Sequence, residues 1–166
     1  MKAIMITVRL WWFYLTYKGI KTAEIRKQRP KNFQGNVYEY VSKTNWKQDL
    51  MKIPAEERDF FKQFIGKVGL KFTLNKVEKF LLEDLDDYNN DNIFIAGSCL
   101  TVGEMRNYFN HILGEDGYGY AWHIDNLEIF DKPKELGEFY FAKTDKLPRY
   151  LYPLTRVPQS WCYIEV

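Results

Sequence analysis

Apolar and polar residues change period several times along this chain, and each change marks an element. Ala3 to Val8 is a β-branched run that starts a strand. Trp11 to Tyr17 is apolar without alternation and is stopped by Gly19, which predicts a short buried helix with a glycine C-cap. Thr22 to Arg26 alternates. Ala23 and Ile25 share one face while Thr22, Glu24 and Arg26 share the other, the pattern of a half-buried strand with a polar outer row. Asn36 to Ser42 reads as a further strand with Tyr38 and Tyr40 on one face. Pro54 opens a predicted helix, PAEERDFFKQFI, that Gly66 ends.

Lys67 to Asn75 alternates again, so Val68, Leu70, Phe72 and Leu74 are expected inside and Gly69, Lys71, Thr73 and Asn75 outside. Thr101 and Glu104 have the spacing of a capping box for a helix running to about Asn110. Tyr118 to Phe130 and Ser160 to Val166 complete the strand candidates. Five or six short strands with short helices between them predict an α+β protein: a small mixed β-barrel, closed or nearly closed, flanked by short helices. No repeat, low-complexity tract or flexible linker interrupts it, and the expectation is a single domain over residues 1–166.

Composition narrows the classes. The two cysteines, Cys99 and Cys162, make no disulfide framework, and no Cys/His cluster has zinc spacing. The acidic stretch Glu83 to Asp91 lacks the calcium-loop pattern and reads as a solvated loop. His111 and His123 support no metal site, and no cofactor fingerprint is present. No secretory signal is visible and the apolar run Leu10 to Tyr17 is too short for a bilayer span, so a cytoplasmic protein without a membrane anchor is expected. Charge is uneven. Residues 1–80 carry 17 Lys/Arg against 7 Asp/Glu, whereas residues 81–131 carry 1 against 11. A basic first half is either the footprint of a polyanion or a face that the acidic segment neutralises.

Three segments carry a resemblance: KGIKTAEIRKQRPK from Lys18, YGYAWHIDNLEIFDKPKELGEF from Tyr118, and TRVPQSWCYIEV from Thr155. Together they resemble the ASCH domain, a relative of the PUA and EVE-like small barrels, in a branch carried by bacteria, phages and prophages. The resemblance implies that the turn and strand after the first helix form one wall of a cleft. Lys21, Thr22, Glu24, Arg26 and Lys27 would then line or flank it.

Such a row suits RNA, single-stranded nucleic acid or a modified nucleoside. Glu24 accepts from an exocyclic amine, Thr22 donates or accepts, Arg26 clamps a phosphate or stacks on a base, and Lys21 and Lys27 meet phosphates. The bland alternative is a surface ion pair between Glu24 and Arg26. Trp122 is either a stacking platform or a core residue. Some small members of the resembled family are amidohydrolases acting on N4-acetylcytidine through a lysine, a threonine and a glutamate. Here the lysine matches Lys21, but the threonine position holds Glu24 and the glutamate falls at or near Lys71. The leading expectation is therefore a nucleic-acid or nucleoside binding module. The alternatives are a hydrolase using Lys21, Glu24 and Lys71, or a phage-type accessory protein acting through protein contact.

Overall fold

The computed structural model describes residues 1–85, 97–110, 116–142 and 152–166. Its strands, in chain order, are β1 (Lys2–Val8), β2 (Ala23–Arg26), β3 (Gly35–Val41), β4 (Val68–Leu74), β5 (Val77–Leu81), β6 (Tyr118–His123), β7 (Asp125–Lys134), β8 (Tyr140–Phe141) and β9 (Trp161–Glu165). The α-helices are α1 (Leu10–Tyr17), α2 (Trp46–Leu50), α3 (Arg58–Lys62) and α4 (Val102–Phe109).

The strands fall into two sheets. A six-stranded sheet has the order β7-β4-β3-β1-β9-β8, and a three-stranded sheet has the order β2-β6-β5. Among the described residues, only β1 and β3 pair in parallel. The mixed α+β class is as expected, but among the described residues neither sheet closes into a barrel. The reason is where β2 goes: it pairs with β6 instead of joining β1 or β3, which opens a second layer. The predicted strand from Tyr118 to Phe130 is also two strands. It breaks at Ile124, where the chain leaves the small sheet as β6 and enters the large one as β7.

Between the layers, Ile4, Ile6, Val37, Leu70 and Phe72 of the large sheet pack with Phe13 of α1, Phe64 and Trp122. Helix α1 is buried around most of its surface, which explains why its sequence shows no polar stripe. It ends in a Schellman motif: the Ile20 N–H donates to Leu15 O at 2.9 Å and the Gly19 N–H to Thr16 O at 2.9 Å. Gly19 has φ +69°, so the glycine C-cap is as read from the sequence. This turn delivers Lys21 to the start of β2.

The opposite face of the large sheet carries a second cluster, with Met5, Tyr38, Tyr40, Val68, Phe139 and Ile164. Val68 thus lies on the face away from Leu70, contrary to the simple alternation. A register shift in the β3–β4 pairing beside Gly69 turns the chain over. Gly69 itself, expected outside, meets the rings of Phe13 and Phe64. The predicted helix after Pro54 is a 3-10 turn over Ala55–Glu57 followed by α3, with Gly66 at φ +81° closing it. Helix α4 has the expected capping box, Thr101 Oγ1 accepting from the Glu104 N–H at 3.1 Å and Glu104 Oε2 accepting from the Thr101 N–H at 2.9 Å. It packs on the second face of the small sheet through Met105, against Ile25, Phe80 and Ala121. No helix among the described residues is long and apolar enough to cross a membrane.

Candidate functional site

All four residues of β2 are buried, which corrects the expectation of a polar outer row. Ala23 and Ile25 are covered as predicted. Glu24 and Arg26 point into the space between the two sheets, because the face read as outer is roofed by β1 and the chain at Ser160. Lys21 joins them, only 4% exposed.

The three side chains form one buried ion cluster. Glu24 accepts from the Lys21 ammonium through one oxygen and from Arg26 Nη2 at 2.8 Å through the other. Arg26 then ties the layers together, donating to Thr7 O at 3.0 Å, Ser160 O at 3.2 Å and Ser160 Oγ at 3.3 Å. Burial alone would raise the Glu24 carboxyl, but the two adjacent cations overcome it and hold the group below its ordinary range.

A fourth ionisable group was not singled out from the sequence. Glu39 of β3 is completely buried on the face it shares with Val37 and Val41, opposite Ile6 of β1 and Leu70 of β4. Neither of its carboxyl oxygens has a hydrogen-bond partner among the described residues. Burial, reinforced by the Glu24 charge, pushes its pKa up to about 8 against the pull of Lys21 and Arg26. Glu39 is therefore an uncharged acid at neutral pH. The cluster keeps two cations against one carboxylate. The signal for Glu39 was present in NVYEYVS, where a carboxylate interrupts an otherwise valine-lined row.

Over the ion cluster opens a cavity of about 500 Å³. Lys21, Glu24 and Arg26 border it from β2, Thr7 and Arg9 from the end of β1, and Trp12 from α1. Glu104, Asn107 and Tyr108 of α4 form the opposite side. Arg9 is itself held by the buried Asp49, with Nε 3.0 Å from Oδ2. The Lys27 ammonium is 5.3 Å from the centre of the Tyr108 ring.

The other expected residues lie elsewhere. Thr22 is exposed, donates its backbone N–H to Gly97 O at 2.8 Å, and does not border the cavity. Trp122 is fully buried against Trp161, so of its two readings the structure gives the core residue. Lys71 is 3.0 Å from Glu128, on the face of β4 turned away from the cluster. It cannot cooperate with Lys21, which corrects the three-residue catalytic set. His123 meets Glu78. His111, and the acidic stretch beyond Leu85 as far as Asp91, lie outside the described residues. No group of three potential metal ligands occurs among the described residues.

No family model matches the sequence, and no curated protein matches it at significance. Solved structures do match. A crystal structure of ASCH from Zymomonas mobilis aligns over 93% of this chain and 88% of its own, at 14% identity and a TM-score of 0.57. A tyrosine-to-phenylalanine variant of that protein aligns over 94% of this chain and 92% of its own, at 14% identity and TM-score 0.56. A serine-to-alanine variant aligns over 93% and 89%, at 14% and 0.57. The chain has the fold of an ASCH domain. A shared fold does not carry chemistry, so what the cavity can do is argued from this chain's own residues.

Proposed function

We propose that this protein binds nucleic acid, RNA by preference, by taking one nucleoside into the cavity over Lys21, Glu24 and Arg26. One observation carries the reading: a cavity of about 500 Å³ with a buried cation–carboxylate–cation row at its base and the rings of Trp12 and Tyr108 on its walls. That volume is within the range of small-ligand sites, and the mixture of aromatic wall and few polar groups is what orients a planar heterocycle. Trp12 and Tyr108 offer stacking surfaces. Glu24 has lone pairs left after accepting from Lys21 and Arg26, so it can take a further hydrogen bond from an exocyclic amine. Lys27, beside Tyr108 at the edge of the cavity, offers positive charge to a phosphate attached to the bound unit.

The test is fluorescence-anisotropy titration of a labelled short RNA and a single-stranded DNA at several salt concentrations, with nucleosides and nucleotides as competitors. Lys27→Ala should weaken binding to all sequences and lower the salt slope by about 0.7 units. Glu24→Gln should change the preference among bases, at a cost of roughly 1–3 kcal/mol against the favoured one. A wild-type protein that binds no polymer, nucleotide or nucleoside at low salt ends the proposal. Release of cytidine from N4-acetylcytidine, abolished in Lys21→Ala, replaces it with the hydrolase reading.

A further inference from the structure

A second cavity lies on the far side of the segment that follows β2. It also has a volume of about 500 Å³, and Arg29, Asn32, Phe33, Gln34, Asn75 and Val77 border it. The stretch from Lys27 to Gln34 therefore runs between two openings. Lys27 leans towards Tyr108, which borders the first, while Arg29, which borders the second, has its guanidinium 5.6 Å from the centre of the Tyr120 ring.

The register of the small sheet shows what continues outward from there. Trp122 pairs with Glu24 and Val77, Tyr120 with Arg26 and Lys79, and Tyr118 with Leu81, so these side chains share one face. Along β6 that face rises out of the core. Trp122 is fully buried, Tyr120 is partly covered and Tyr118 is 51% exposed. Tyr118 and Tyr120 are in ring contact at 5.7 Å, and the Lys79 ammonium sits 4.1 Å over Tyr118. Across the opening, Phe33 meets Tyr163 of β9 at 5.8 Å, and Lys2 lies 4.0 Å over Tyr163.

These cations differ from many others on the surface. Lys18, Lys62, Lys67, Lys71 and Lys76 each have a carboxylate partner. Lys2, Arg29 and Lys79 have none among the described residues, and each instead covers an aromatic ring. Rings partly exposed beside cations with no carboxylate to neutralise them present both halves of what a single strand offers, π-faces and phosphates.

We infer that the ligand is a strand and not a free nucleoside: Arg29, Lys79, Tyr118 and Tyr120 form a second subsite that takes the nucleotides next to the one held in the first cavity. This rests on the reading of the first cavity as a nucleoside site and extends it. The second subsite stacks bases on Tyr118 and Tyr120 and neutralises phosphates with Arg29 and Lys79. Stacking on these rings and contacts to phosphate contribute affinity and leave base preference to the first cavity.

The experiment compares a nucleoside monophosphate with single-stranded RNA and DNA oligomers of about 8 nucleotides, within the site sizes of such tracks. The probes are tested on wild type, Arg29→Ala/Lys79→Ala, Tyr118→Ala and Lys21→Ala. Arg29, Lys79 and Tyr118 are exposed, so truncation leaves the core intact. The oligomer should bind at least tenfold more tightly than the monophosphate. The double variant should lower the oligomer's salt slope by about 1.4 units, ~0.7 per lost phosphate contact on a single strand. Tyr118→Ala should weaken the oligomer by about tenfold, and neither change should move the monophosphate. An oligomer that binds no more tightly than the monophosphate, or that ignores these substitutions, overturns the inference. Oligomer binding that depends on Arg29, Lys79 and Tyr118 but not on Lys21 removes the first cavity from the picture and leaves the track standing. Binding of neither probe removes both.

Discussion

At the scale of single residues, Glu39 sets a testable sign. Its carboxyl is held at about 8 in the fold, well above the ordinary value near 4.3 that an unfolded chain gives it. Between those values the folded protein keeps a proton that the unfolded chain releases. Stability contributed by Glu39 is thus fully present below the unfolded value and is lost as pH rises towards 8, at up to about 1.4 kcal/mol per pH unit. Glu24 faces the same interior but is held low by Lys21 and Arg26, so it is ionised throughout that window and adds no slope there. In Glu39→Gln the side chain is neutral at every pH. Urea unfolding at pH 5, 6, 7 and 8 should therefore show the variant gaining on wild type as pH rises. Parallel curves would mean that Glu39 is ionised in the fold.

At the scale of elements, the β3–β4 pairing shows how one small residue sets a strand's phase. The register shift beside Glu39 and Tyr40 brings Gly69 against the rings of α1 and the turn after α3. A Cβ at that position would sit 2.6 Å from Phe64 Cδ1 and also strike the Phe13 ring. Gly69→Ala should accordingly destabilise by about 1–3 kcal/mol, the usual cost of overpacking, measured as a lower urea midpoint with an unchanged slope. A neutral or stabilising result would place the rings elsewhere. The alternation of Lys67 to Asn75 correctly identified a strand with Leu70, Phe72 and Leu74 inside. Val68 is buried as expected but on the opposite face, and Gly69 is the exception, since a register shift depends on the partner strand and leaves no mark in a strand's own alternation. Strand β5, VEKFL, shows no apolar–polar alternation and helix α2, WKQDL, is little more than one turn with no side-chain cap, so neither is legible in the sequence.

At the scale of the whole molecule, Arg26 is the side chain that fastens the small sheet to the large one. It reaches Glu24 in its own strand, Thr7 O in β1 and Ser160 just before β9. Arg26→Ala leaves a buried carboxylate with one cation instead of two and takes the guanidinium donor from Thr7 O, while Ser160 O keeps the Thr7 N–H. A loss of about 3–5 kcal/mol is expected, as when one partner of a buried pair is removed. Arg26→Lys should recover only part of it, because an ammonium cannot span the same fork of acceptors. Thermal or urea melts of the two variants check this. Equal stability of Arg26→Ala and wild type would show that the layers are held by the apolar core alone.

Local pattern determined the identity of most strands, the glycine-capped helix before Lys21, the capping box at Thr101 and the polar character of the β2 row. Those features arise from residues a few positions apart, whose backbone preferences and side-chain period act within one element. Pairing decided the rest. Whether Glu24 and Arg26 face water or another sheet depends on β1 and Ser160, which are distant in sequence. Whether Trp122 stacks on a ligand or fills the core depends on Trp161. Glu39 becomes an uncharged acid only because β1, β4 and α1 bury it among Lys21, Glu24 and Arg26. Burial, ion pairing and pKa are properties of what surrounds a group, and for these residues the surroundings come from other elements of the fold.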